Sequence, residues 1–152
     1  MILWIDADGC PVVSESAKLA ERYNIELHVV KNIAHHIVLD YGEVHTVDKG
    51  PDQADFFIAN RLQVGDLVIT QDYGLAAMAI AKKATALTQY GQTIDQENID
   101  YLLEKRHFNK EMRKQKGKYT KFKKRTADDD RRFLEILDQL LSATRSVLKS
   151  EL

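Results

Sequence analysis

Ile2-Leu3-Trp4-Ile5-Asp6-Ala7-Asp8-Gly9 joins a short apolar run to two aspartates, and its reading decides the fold. Four consecutive apolar residues match a strand buried on both faces. Such strands belong to parallel sheets covered by helices. Gly9, Cys10 and Pro11 then break the run. Two carboxylates therefore stand where the first strand ends, and carboxylates beside a buried strand are costly without a partner.

Downstream, strand-like and helix-like segments alternate. Ser14 is read as an N-cap, and Ala17, Leu19, Ala20 and Tyr23 populate a helix ending near Asn24. Residues 25–30 read as a second strand and 43–47 as a short, alternating, β-branched one. Pro51 sits near the first turn of a helix carrying Ala54, Phe57, Ile58 and Leu62 at helical spacing. Residues 67–70 form a β-rich run, and Asp72 opens an alanine-rich helix to about Lys82. Residues 84–88 make one more strand, and 96–115 a helix that is apolar first and then very basic. Residues 117–125 read as a loop. Thr126 and Asp129 are spaced as an N-terminal cap for a last helix over about 127–149, with Phe133, Ile136, Leu137, Leu140 and Leu141 as its apolar stripe. The alternation predicts an α/β protein with a mainly parallel central sheet and helices on both faces. Its length of 152 residues predicts one domain spanning the whole chain.

Composition narrows the classes further. One cysteine, Cys10, excludes an internal disulfide and a cysteine-rich zinc site, and fits a cytoplasmic protein. No stretch approaches the roughly 18 apolar residues of a membrane helix, and the apolar start is too short for a signal peptide. The net charge of −1 hides a segregation. Residues 1–104 carry −9, residues 105–125 carry +10, and residues 126–152 carry −2. The basic block interleaves its lysines and arginines with His107, Phe108, Tyr119 and Phe122. That composition suits tracking a phosphate backbone with stacking platforms for bases, although charge runs also serve as solvated faces. Lys114, Lys116, Lys118, Lys121, Lys123, Lys124 and Arg125 are the expected nucleic-acid contacts.

In open parallel sheets, ligands bind beyond the carboxyl ends of the strands. Asp6 and Asp8 fall at one such end and Asp72 at another. Asp52 and Asp55, three residues apart in the first turns of a helix, share one side of it and can face the same edge. Carboxylates converging there repel, and a hard cation such as Mg²⁺ or Mn²⁺ relieves the repulsion. Asp6, Asp8, Asp52, Asp55 and Asp72 are thus the candidate metal ligands, with Asp6, Asp8, Asp55 and Asp72 as the catalytic set. Each has a plainer reading: Asp72 could be a helix cap, and for Asp52 after Pro51 a cap is the better account. Cys10 reads as a small hydrophobe beside the turn rather than a nucleophile. The adjacent His35 and His36 match no common zinc spacing and are placed on the surface or in a loop.

At this point WIDADGCPV (4–12), VDKGPDQAD (47–55), GDLVITQD (65–72) and DRRFLEILDQLL (130–141) resemble the motifs of the bacterial YaiI/YqxD family. The order and spacing hold over almost the whole chain. The resemblance implies a PIN-like three-layer α/β/α fold, similar to metal-dependent ribonucleases with an acidic cluster. Carried over by position, that cluster is Asp6, Asp8, Asp52, Asp55 and Asp72. Tyr73-Gly74 stands where the family more usually has Ile-Pro, and 117–126 (GKYTKFKKRT) departs from its Gly-Pro-Lys-Pro-Phe-like stretch.

Three functional expectations follow. The first is a Mg²⁺- or Mn²⁺-dependent endoribonuclease, acting on RNA rather than DNA. The second is a phosphatase resembling the haloacid dehalogenase group, with Asp6 as nucleophile and Asp8 as general acid; Cys10 replaces the Thr usual there. The third is a nucleic-acid-binding module without catalysis. The sequence leaves substrate, number of metals and oligomeric state open.

Overall fold

The computed structural model describes residues 1–116 and 124–151. Six strands form one sheet: β1 (Ile2–Asp6), β2 (Glu26–Asn32), β3 (Glu43–Val47), β4 (Leu67–Ile69), β5 (Thr85–Leu87) and β6 (Thr93–Ile94). Five helices accompany them: α1 (Val13–Arg22), α2 (Gln53–Ala59), α3 (Tyr73–Ala81), α4 (Ile99–Lys116) and α5 (Ala127–Glu151). The strand order is β3-β2-β1-β4-β5-β6, parallel except for the antiparallel β5–β6 pair.

The opening run becomes the centre of this sheet. Trp4 pairs between His28 and Val68, and Ile5 between Val29 and Ile69. Side chains alternate across the sheet, so Leu3 and Ile5 enter one core and Trp4 the other. In the first core, Val13, Ala17 and Ala20 of α1 and Phe133, Leu137 and Leu141 of α5 cover Leu27, Val29, Leu67 and Ile69. In the second, Ala54 and Ile58 of α2, Leu75, Ala76 and Ala79 of α3, and Ile99 and Leu102 of α4 cover Val30, Val68, Ala86 and Ile94. These are the expected three layers.

Two details differ from the sequence reading. The strand β6 was not expected, because two residues carry no periodicity. The N-cap of α1 is Val12 rather than Ser14, and it makes no side-chain cap bond. The cap predicted for α5 is present. Thr126 N donates to Asp129 Oδ2 at 2.9 Å, and Asp129 N donates to Thr126 Oγ1 at 3.2 Å.

The topology positions the site. From β1 the chain builds outward to β2 and β3, then returns to place β4 on the other side of β1. The winding reverses between β1 and β4, and a crevice opens beyond the carboxyl ends of strands at such a switch point. Asp6 ends β1, and Asp72 follows β4 by three residues.

Candidate functional site

Asp72 is held by its own helix. It is the N-cap of α3, where its Oδ1 accepts from Gly74 N at 2.7 Å and Leu75 N at 3.2 Å. A proline at position 74 would lack the N–H that makes the shorter of these bonds. The Tyr73-Gly74 departure therefore adds a donor to Asp72.

Asp52 occupies the N-cap position of α2 but does not cap it. Its φ is +67°, and its side chain makes no cap hydrogen bond, contrary to the plainer account above. A left-handed backbone at a non-glycine residue costs energy and often marks a functional site. The Asp52 carboxylate stands instead with Asp55 and Asp72, and ligand atoms of all three lie within 4.8 Å of one another. Asp55, in the first turn of α2, is only 8% exposed.

Asp6 adjoins this trio through Thr70. The buried Thr70 hydroxyl donates to Asp6 Oδ2 at 3.0 Å and accepts from Asp72 N at 3.0 Å. One side chain thus fixes the ends of β1 and β4 against each other. Asp8 looks elsewhere. It is exposed, accepts from Asn32 N at 3.3 Å, and lies 3.7 Å from His35 Nε2. Of the five expected carboxylates, the fold gathers Asp52, Asp55 and Asp72, seats Asp6 beside them, and turns Asp8 toward the end of β2.

Crowding shows in the proton affinities. Burial, with further contributions from Asp8 and Asp72, pushes Asp6 up to about 6 despite the Thr70 hydrogen bond. Burial first, then the Asp72 carboxylate, pushes Asp55 up to about 8. Asp72 moves the other way: burial opposes its charge, but hydrogen bonds from Asp55, Leu75 N and Gly74 N, with Arg106 nearby, outweigh it. The pair holds one proton near neutrality. A cluster of oxygen donors, one of them buried and protonated for want of a counter-charge, fits a hard divalent cation.

Beside Asp72, a cavity of about 280 Å³ is lined by Tyr73, Gln92, Tyr101, Lys105, Arg106 and Arg113. The basic first half of the expected phosphate-tracking block thus adjoins the acidic cluster through α4. Lys114 and Lys124 are exposed. Arg125 is not a free cation: it is 16% exposed, pairs with Asp130 at 2.5 Å, and donates to Gln89 O at 2.7 Å. Lys118, Lys121 and Lys123, and the side chain of Lys116, lie outside the described residues. Cys10 packs partly buried against the first core, and burial raises its thiol pKa. His35 and His36 sit exposed in a loop, as expected.

Sequence reasoning missed Asp66. Only 3% exposed, it accepts from Ile2 N at 2.9 Å, Gln63 N at 2.9 Å and Trp4 Nε1 at 3.3 Å. It ties the start of β1 to β4, at the end of the sheet away from the carboxylate cluster. A Gly-Asp turn gave no signal of this role.

Fold and site together define a doubly wound α/β protein with a carboxylate cluster at its switch point. The family is shown by the chain itself: the model described as "Uncharacterized BCR, YaiI/YqxD family" (DUF188) matches residues 4–143, and the chain belongs to that family. It is 50% identical to a UPF0178 protein of Alkaliphilus oremlandii, over 90% of this chain and 88% of the relative. It is 41% identical to a UPF0178 protein of Natranaerobius thermophilus, over 96% of this chain and 99% of the relative. Among solved structures, Rae1 (YacP) from Bacillus subtilis aligns over 95% of this chain and 99% of its own, at 16% identity and a TM-score of 0.41.

Proposed function

We propose that this chain is a divalent-metal-dependent nuclease of PIN-like fold acting on RNA. The observation that carries the reading is the convergence of Asp52, Asp55 and Asp72 within 4.8 Å, with Asp6 held beside them by Thr70.

Asp52, Asp55 and Asp72 would hold Mg²⁺ or Mn²⁺, with Asp6 beside them. Bound there, the cation would supply Lewis acidity toward a phosphoryl oxygen and a nucleophilic water at neutral pH. The protein's own groups do the rest. Asp55 would release its proton on taking up the cation. Thr70 and the α3 backbone amides keep Asp6 and Asp72 in place before any ligand arrives. Arg106, Lys105 and Arg113 offer positive charge where a phosphate backbone would enter beside Asp72. Tyr101, 63% exposed, offers an aromatic face to a base.

The phosphatase alternative needs Asp8 beside Asp6 as general acid. Its contacts with Asn32 N and His35 favour the nuclease reading. The test is cleavage of an RNA panel by the wild type and Asp55→Asn, with Mg²⁺, Mn²⁺ or chelator. Metal-dependent cleavage that Asp55→Asn abolishes supports the proposal. Cleavage equal in both proteins contradicts it. RNA binding without cleavage, unaffected by chelation, assigns the protein to the binding-module class instead.

A further inference from the structure

On the face of the sheet covered by α2, across β2 and β3, a second set of ligand-type side chains meets. Parallel pairing sets His28 opposite Glu43, and Val30 opposite His45. Glu43 and His45, two residues apart on β3, project to the same side. His28 Nδ1 and His45 Nε2 lie 2.8 Å apart. Glu43 carboxylate oxygens lie 3.7 Å from His28 Nδ1 and 4.0 Å from His45 Nε2.

From these positions we infer that His28, His45 and Glu43 form a binding site for a borderline transition-metal dication, Zn²⁺ in the first place, on the β2–β3 side of the sheet. Two imidazoles and one carboxylate are a donor set suited to Zn²⁺ and poor for Mg²⁺. Tetrahedral coordination at Zn–N and Zn–O bond lengths spaces donors roughly 3.3 Å apart. The nitrogens therefore need to part by about 0.5 Å, and Glu43 to close by a similar amount.

A separate observation points the same way. His28 Nε2 lies 2.8 Å from Glu26 Oε1. A carboxylate only accepts, so Nε2 carries the hydrogen and the Nδ1 lone pair accepts from His45 Nε2–H; a cation would take the place of that hydrogen, with His45 passing its proton to its other ring nitrogen or to solvent. Carboxylate–histidine pairs of this kind orient metal-ligating imidazoles and raise their basicity. The site also has walls and a mouth. Trp4 flanks His28 at a centroid distance of 4.7 Å, and Phe57 flanks His45 at 4.9 Å. The His28 and His45 side chains are 14% and 22% exposed, whereas Glu43 is 67% exposed. Two ligands are thus pre-positioned, and the third closes from solvent. Because β3, at the edge of the sheet, pairs with β2 alone among the described residues, the ion would staple that edge to the sheet.

The test uses untagged protein, zinc chloride and imidazole ¹⁵N NMR, with calorimetry for affinity. Expected is one strong equivalent that shifts the His28 and His45 nitrogens and leaves His35, His36 and His107 unmoved. Asp55→Asn keeps it, His45→Gln and the surface change Glu43→Gln lose it, and Glu26→Gln weakens it about tenfold. Zinc should also raise the melting temperature of the wild type but not of Glu43→Gln. Absence of a strong equivalent overturns the inference. So does binding that shifts only His35 and His36, or that survives both His45→Gln and Glu43→Gln.

Discussion

Replacing Asp55 by asparagine should make the metal-free protein more stable. Asp55 is nearly buried, and in the folded state it binds its proton up to about pH 8, against 3.8 for an ordinary aspartate. Its contribution to stability is therefore complete below about pH 4 and is lost as the pH rises toward 8. At neutral pH, folding must take up a proton that the unfolded chain has released. From 3.8 to pH 7 is roughly three pH units at about 1.4 kcal/mol each, or about 4 kcal/mol unscreened. Sharing of the proton with Asp72 and water at exposed Asp52 reduce this to about 2 kcal/mol. Asparagine is nearly isosteric, keeps an N–H donor for Asp72, and has no charge to bury. Asp55→Asn should therefore gain about 2 kcal/mol at pH 7, or about 6 °C in melting temperature, and almost nothing at pH 4. Urea unfolding in chelator, followed by the fluorescence of buried Trp4, measures both. An Asp55→Asn protein no more stable than wild type at pH 7, or a gain equal at pH 4 and pH 7, would refute the reasoning.

Other residues give distinct outcomes. Thr70→Val should cost about 1.5 kcal/mol, because it strands Asp72 N; carboxyl ¹³C NMR should show Asp6 titrating above its present value of about 6. Asp66→Ala removes the acceptor for Ile2 N, Gln63 N and Trp4 Nε1, so it should lose about 3 kcal/mol in urea unfolding while leaving Mn²⁺ affinity unchanged. Asp8→Asn should alter Mn²⁺ affinity less than about threefold, since its charge is exposed and screened, whereas Asp72→Asn should abolish binding in calorimetry. Arg106→Ala should weaken RNA binding and flatten its dependence on salt concentration, measured by fluorescence anisotropy.

The fold and part of the site were legible for specific reasons. The run Ile2–Ile5 is uniformly apolar, as a central parallel strand requires, and the residues that follow such strands line the ligand edge, which picks out Asp6 and Asp72 from the sequence alone. The i, i+3 spacing singled out Asp52 and Asp55 together, but α2 begins at Gln53 and Asp52 stands just before it with a left-handed backbone. Three things lay beyond local pattern. The left-handed backbone at Asp52 depends on how the loop enters α2, so a capping role could not be told from a ligand role. Asp8 lies two residues past the end of β1 and turns toward Asn32 because of how the β1 and β2 ends meet. His28 and His45 are seventeen residues apart, and only the β2–β3 register brings them together. The more conspicuous His35-His36 pair lies in a loop.

The most direct measurement of the central claim is a crystal structure of the protein soaked in millimolar Mn²⁺, read by anomalous scattering. The account predicts a peak among the carboxylates of Asp52, Asp55 and Asp72, absent from Asp55→Asn crystals treated in the same way. A soaked wild-type crystal with no peak there, or with manganese only at other sites, would contradict it.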